Sequence, residues 1–492
     1  MRAFLSVSWG LVAGIFVFAA VMGLTDAWPI ATLSAAIAAV LFARWMHRRR
    51  ILALDGSASR ALRIVSCLAS LLALVLLARL AVFMISPSQV GCSFVPTSDW
   101  EVRHSCLSAY FVAAKAASAG SNIYADSLYS MPDDDPTKIR KARMLGPFRI
   151  DVYEYPPTFL LLPRALRLVT PEFTRFRTLC FGLGGGVLLI AFLVVARMLG
   201  PHAGTRALML TPLVWVALPT LSVLQKGNVQ AVVIAGSMLA MVLFERRRWA
   251  AGGALLAFMT ASKLYPGLLI VYLLARRQWR AVAWTATLGV AFVALSIADT
   301  GWAPYRAFLG HLPGMVGGEA FPAFRNPGAL AINFSVPGLV FKLKLFGVPG
   351  MGFAVAKIVG WIYTLVILAA TILAARRVLR EGEKPLVWIA ILILATLRSP
   401  FLPQAYAAFP ALWAATLLAA TYAPDRRILL AALLAWAALN LYWPMDWAGD
   451  HRLLAVANLI PQTLTIVVAV LALRRKVDPE EGGPSRLSAT MA

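Results

Sequence analysis

Apolar runs of about twenty residues recur along this chain, and most of them stop at a cluster of arginines. At a rise of about 1.5 Å per residue, a run of that length spans the roughly 30 Å hydrocarbon core of a bilayer. The runs lie near 3–24, 28–43, 64–86, 178–199, 206–224, 229–244, 281–298, 351–375, 403–423 and 453–473, with shorter ones at 158–169, 250–262, 264–275, 334–347, 385–397 and 428–444. With 60% hydrophobic residues, 14% charged residues and a mean hydropathy of +0.76, the chain carries more apolar surface than a soluble core could bury. An all-α polytopic membrane protein of about 11–13 transmembrane helices is expected.

The net charge of +24 would, on a soluble protein, suggest a nucleic-acid partner. Position excludes that reading. The basic residues gather at run ends, at Arg44 to Arg50, Arg246 to Arg248, Arg276 to Arg280, Arg376 to Arg380, Arg426-Arg427 and Arg474 to Lys476. This is the positive-inside pattern, and it predicts a multi-pass protein of the cell (inner) membrane. Residues 44–63 then lie inside and the segment of about 87–155 outside. Arg79, within the run that leads there, is expected to snorkel or to be paired. The first run is longer than a signal-peptide core and reads as a retained anchor. Residues 1–475 form one integral membrane domain, and 476–492 read as a disordered cytoplasmic tail.

The segment 87–155 holds Asp99, Glu101, Asp126, Asp133, Asp134, Asp135, Asp151 and Glu154, a large share of the 22 acidic residues. A chain this apolar has few places to keep carboxylates in water, so a general base belongs here. Within it, 105–120 is expected to form a helix lying on the membrane surface, and Asp133-Asp134-Asp135-Pro136 a solvated turn. The short runs around Ser262-Lys263-Leu264-Tyr265-Pro266 predict a kinked hairpin with Lys263 at its outer tip. A second outer loop, about 299–333, contains Trp302, His311, Glu319, Arg325 and Asn326.

The four cysteines are Cys67, Cys92, Cys106 and Cys180, and no CxxC or Cys/His spacing suggests a metal. Cys92 and Cys106 share the outer segment, where a disulfide and two free thiols are equally open readings. No Walker loop, no GxGxxG after a strand and no HExxH occurs.

What the chain does contain is a set of polar breaks in apolar sequence. Tyr110-Phe111-Val112-Ala113-Ala114 is followed by Gly120 and Tyr124, and Tyr155-Pro156-Pro157 precedes Leu160-Leu161-Leu162-Pro163. Further along come Gly227-Asn228-Val229-Gln230, then Lys263-Leu264-Tyr265-Pro266 before Arg276-Arg277-Gln278-Trp279-Arg280, and Ser399-Pro400 with Tyr406. In this order and spacing the chain resembles the integral-membrane glycosyltransferases of the GT-C superfamily, specifically glycosyltransferase family 87, over roughly 109–406. It differs from the family pattern in having Cys106 where an aspartate is expected four residues before the tyrosine. Asn228 and Gln230 stand in exchanged order, and Ala405 replaces a histidine.

The resemblance implies a GT-C-like bundle with a large first catalytic outer loop. It also implies transfer of a hexose, with mannose expected first, from a polyprenyl-phosphate sugar to a lipid or glycan acceptor on the outer face. The absent nucleotide motifs agree with a donor that arrives on a lipid phosphate, with no cofactor and no metal, and attack from the opposite face would invert the anomer. The candidate bases are Asp99, Glu101 and Glu154. Asp99 comes first, because it lies two helical turns before Cys106 on nearly the same face. Lys263, Arg398 and Lys226 are candidates for the donor phosphate, and Tyr110, Tyr155, Asn228 and Gln230 for the substrate. Plainer readings stand beside these: solvated loop ends for Asp99 and Glu101, a helix cap for Glu154, snorkelling cations for Lys263 and Arg398, and interface anchors for Tyr153 and Tyr155. A transporter or flippase of lipid-linked sugars, or a non-catalytic relative of the same fold, are the competing functions.

Overall fold

The computed structural model describes residues 1–52, 58–131, 141–444, 446 and 449–477. The predicted turn at Asp133-Asp134-Asp135-Pro136 and the tail from 478 onward lie outside the described residues. Within the predicted tail Val477 is held in place. Val477 is buried, its N–H donates to Glu383 Oε1 at 3.0 Å, and its carbonyl accepts from Arg380.

The protein is helical almost throughout, and seven of the described helices are long and apolar enough to cross a membrane. They are Arg2–Thr25, Trp28–Arg48, Arg60–Ile85, Phe173–Met198, Trp279–Thr300, Phe353–Arg376 and His451–Arg474. Pro201–Trp215 and Leu218–Lys226, bent by 66° at their junction, make an eighth when counted as one broken span. This is fewer than the 11–13 expected, and the reason is helix length. Several apolar runs form helices too short to cross alone, such as Trp249–Ser262, Gly267–Ala275 and Lys384–Thr396. In the last, every residue from Pro385 to Thr396 is buried, so its all-round hydrophobicity is spent on the protein interior instead of on lipid.

The first two helices turn at Asp26, which adopts the left-handed conformation that ends a helix, and Pro29 then sits in the first turn of the second. Ser59 caps the third by accepting from Leu62 N–H at 3.2 Å. Arg79 near the end of this helix is paired, donating to Gly91 O at 2.7 Å. The Phe173–Met198 helix presses against the first so closely that a Cβ on Gly182 would lie 2.4 Å from Ala20 N.

The segment after the third helix is not a surface appendage. Its helix Cys106–Ser118 is buried on nearly all sides, among them Leu107, Tyr110, Phe111, Ala113, Ala114 and Ala117. The expected surface helix is therefore an internal one, because its alanines permit close packing on every side but the one that carries Lys115 and Ser118. A small three-stranded sheet flanks it. His104–Ser105 pairs in parallel with Phe148–Ile150, which pairs antiparallel with Met144–Leu145. One buried arginine fastens this sheet to the bundle. Arg177, from the Phe173–Met198 helix, lies 4.5 Å from both the Phe83 and Phe148 rings and donates to Phe83 O at 2.9 Å.

Candidate functional site

Three local devices bring the polar residues together. The first is the strand register, which sets His104 opposite Arg149 and Ser105 opposite Ile150, and so brings Asp151 beside His104 and Cys106. The second is the break after Leu218–Lys226. Gly227 ends that helix at φ +65°, and a Cβ there would lie 2.3 Å from the Leu107 side chain, so both conformation and space require glycine. The chain then turns Asn228 and Gln230 inward. The third is the non-helical stretch between Trp249–Ser262 and Gly267–Ala275, which carries Lys263.

These elements line a cavity of about 1290 Å³. Its wall includes Glu101, His104, Cys106, Asp151, Glu154 and Tyr155 from the acid-rich segment. Lys226, Asn228, Gln230, Lys263, Arg398 and Tyr406 complete the polar part. The segment expected as a second outer loop contributes an apolar wall, from Phe308 and Leu312 in the helix Ala303–Gly317 to Phe321 beyond it. The volume exceeds that of an ordinary small-molecule pocket, about 300–1000 Å³, and leaves room for two substrates.

The three candidate bases are placed very differently. Asp99 lies outside this cavity, half exposed, and is paired with Arg103 Nε at 2.7 Å and Arg149 Nη2 at 2.8 Å. Glu101 is buried and closes an ion pair with Lys226 Nζ at 2.8 Å, while Tyr442 OH donates to its other oxygen at 2.8 Å. Gln225 holds the short helix Asp99–Arg103 in place by donating to Glu101 O and accepting from Phe94 N–H, both at 2.9 Å. Glu154 faces the cavity and makes no hydrogen bond or ion pair among the described residues. It caps no helix, since the turn that follows is capped by Pro156 without side-chain help. Burial, reinforced by Asp151, raises the Glu154 carboxyl well above the usual range, with Lys263 pulling the other way.

The cations divide in the same manner. Lys226 already has Glu101 as its counter-ion, and it also donates to Tyr442 OH at 3.1 Å. Lys263 has only neutral acceptors, Asn228 Oδ1 at 3.3 Å and Gln230 Oε1 at 3.1 Å, and lies over the Tyr155 and Tyr406 rings. Burial holds its ammonium down to about 8. Arg398 donates to the Thr364 hydroxyl at 2.6 Å and stacks on Trp361. Among the described residues neither forms an ion pair with a carboxylate, so both present positive charge to the cavity.

Of the substrate candidates, Tyr155, Asn228 and Gln230 line the cavity, whereas Tyr110 stands behind it, donating to Tyr155 OH at 2.9 Å and accepting from Val229 N–H. Tyr153 and Tyr155 are not interface anchors. Tyr153 is fully buried and donates to Pro156 O at 3.0 Å. Cys92 and Cys106 are both free thiols, so the open disulfide reading closes. Cys106 is buried with its sulfur 3.2 Å from Tyr406 OH and 3.3 Å from Asn228 Nδ2, and burial pushes its thiol up to about 12. As a free thiol it is neutral and is no substitute for a carboxylate base.

Sequence reasoning passed over His104, Asp151 and Trp100. Trp100 stacks on the His104 ring at 4.8 Å and receives the Arg149 guanidinium at 5.5 Å. Asp151 was visible as an acid of the segment, but only the strand register shows that it faces His104.

A helical bundle with apolar spans around a large cavity, whose wall holds among the described residues a carboxylate without an ion pair and two cations without a carboxylate partner, defines an integral-membrane protein with a charged internal site. Residues 153–400 match the model of Glycosyltransferase family 87. The chain belongs to that family and is a membrane glycosyltransferase. Glu154, Tyr155, Lys226, Asn228, Gln230, Lys263 and Arg398 lie within the matched residues, while Asp99, Glu101, Cys106 and Tyr110 precede them. No curated protein and no solved structure matches the chain.

Proposed function

We propose that this glycosyltransferase moves a hexose, mannose first among the candidates, from a polyprenyl-phosphate carrier to a lipid or glycan acceptor at the outer face of the inner membrane. One observation carries this reading: Glu154, a carboxylate with no hydrogen bond or ion pair among the described residues, and Lys263, whose ammonium donates only to the neutral Asn228 and Gln230 there, face the same cavity. The acceptor hydroxyl attacks the anomeric carbon while Glu154 takes its proton. The bond from that carbon to the phosphate oxygen breaks with its electron pair passing to the phosphate, where Lys263 and Arg398 stabilise the added charge. Attack opposite the leaving phosphate inverts the anomer.

The other candidates take supporting parts. Glu101 and Lys226 neutralise each other in the wall, and Asp99 orders Arg103 and Arg149 at its margin. Tyr155, Asn228 and Gln230 offer hydrogen-bonding groups to the sugar. The apolar wall from Phe308 to Phe321 suits the first isoprene units of a lipid carrier.

The test is transfer by the purified protein in liposomes containing a membrane lipid extract. Radiolabelled polyprenyl-phosphate mannose is expected to pass its label to an acceptor. GDP-mannose alone should not serve, and turnover with it would overturn the lipid-donor reading. Absence of transfer from every polyprenyl-phosphate sugar offered would favour a non-catalytic relative.

A further inference from the structure

A second chemistry is present in the same wall, on residues that the transfer mechanism does not use. His104 Nε2 lies 3.7 Å from Asp151 Oδ2 and 3.7 Å from Cys106 Sγ, and the three donor atoms all fall within 4.8 Å of one another. In a tetrahedral zinc site, with bonds of about 2.0–2.3 Å, neighbouring ligand atoms stand about 3.4–3.6 Å apart. Two edges of such a site are thus nearly formed, and the third needs only a side-chain adjustment.

The surroundings hold each ligand in place. The His104 ring is fixed by stacking on Trp100, with 16° between the planes. Asp151 receives its own neighbour's N–H, from Val152, on Oδ1 at 3.0 Å, and its backbone N–H donates to Ser108 Oγ at 2.9 Å, which leaves Oδ2 directed at the histidine. Cys106 has Tyr406 OH and Asn228 Nδ2 beside its sulfur. Outer groups of this kind orient metal ligands and tune their basicity. The strand pairing that brings the three residues together is backbone structure.

We propose that His104, Cys106 and Asp151 bind a zinc-type divalent cation in the cavity wall, with its fourth position open to the cavity. A thiolate with an imidazole selects zinc or cobalt over magnesium, calcium or manganese, which prefer oxygen ligands. A thiolate and a carboxylate together balance the ion's two positive charges, so the loaded site is neutral in a half-buried wall. Three protein ligands with one open position is the pattern of a site that meets a substrate oxygen, whereas a purely structural zinc is closed by four. This goes beyond the glycosyl-transfer reading and stands or falls separately from it.

The test uses untagged full-length protein in detergent, stripped with a chelator and titrated with cobalt(II). One cobalt per chain is expected, with a thiolate-to-cobalt charge-transfer band in the near ultraviolet and the intense visible bands of tetrahedral cobalt. Zinc should displace it, and magnesium should not. Cys106→Ser should remove the charge-transfer band, His104→Ala and Asp151→Asn should remove stoichiometric binding, and Cys92→Ser should change neither. X-ray absorption of the zinc-loaded unmodified protein should show one sulfur at about 2.3 Å, a readout independent of how the variants fold. Binding no stronger in the unmodified protein than in His104→Ala, a band that survives Cys106→Ser, or a zinc shell without sulfur would each overturn the proposal.

Discussion

Replacing Glu154 by glutamine separates the general base from every other acid in the protein. The side chain faces the cavity and has no hydrogen bond among the described residues to lose, so the nearly isosteric Glu154→Gln should unfold at the same temperature as the unmodified protein. Loss of a general base lowers a rate by roughly 10² to 10⁴ fold, or about 3–5 kcal/mol of transition-state stabilisation. Asp99→Asn disturbs only two exposed ion pairs, worth about 0–1 kcal/mol, and should retain activity within roughly tenfold. The pH profile supplies a second readout. The base acts only when deprotonated, and burial with Asp151 raises the Glu154 carboxyl above its ordinary 4.5, so kcat/KM should rise with pH through a midpoint above that value. Lys263 acts only when protonated, and kcat/KM should fall again as pH passes about 8. The assay is label transfer from polyprenyl-phosphate mannose in liposomes across this range. If Glu154→Gln keeps more than about a tenth of kcat/KM, or retains the acidic limb, Glu154 is not the base.

Other outcomes follow from the same geometry. Glu101→Gln strands a buried lysine and should destabilise the protein by about 3–5 kcal/mol, most of which Glu101→Gln with Lys226→Met should restore; equal unfolding midpoints for single and double variants would refute the pairing. Lys263→Met removes a charge-assisted contact to phosphate, worth about 1.5–3 kcal/mol, and should lower kcat/KM by roughly 10 to 150 fold while Lys263→Arg recovers part of it. A cysteine introduced at Ser130 should react with an impermeant maleimide in intact cells, and labelling only after lysis would reverse the orientation.

Much of the fold was legible because a bilayer imposes a simple rule on sequence. The first three long helices and those at Phe173–Met198, Phe353–Arg376 and His451–Arg474 follow apolar runs that end in charge or polar turns. Helix number was less legible, since a buried run such as 385–397 has the composition of a lipid-facing one. Within the site, Lys263, Asn228, Gln230 and Arg398 could be picked out because polar residues are rare in apolar sequence. The ranking of the acids could not be read in the same way. Asp99 and Glu101 are two residues apart, yet one is half exposed at the margin and the other buried against Lys226, a difference created by a helix of five residues and the distant Tyr442. His104 and Asp151 meet through a parallel strand pair of two residues, too short to leave a periodicity in sequence.

The Arg177 contact bears on how this protein can be handled in the laboratory. Its guanidinium sits between Phe83, at the end of one membrane helix, and Phe148, in the sheet that carries the site, with all three side chains buried. A segment anchored in that way has no interface of its own to expose to water. Residues 87–155 expressed alone as a soluble fragment are therefore expected to lack the sheet and to aggregate through Phe111, Phe148 and Tyr153, so antibodies or ligands meant for the site must be raised against the intact protein in a membrane mimic.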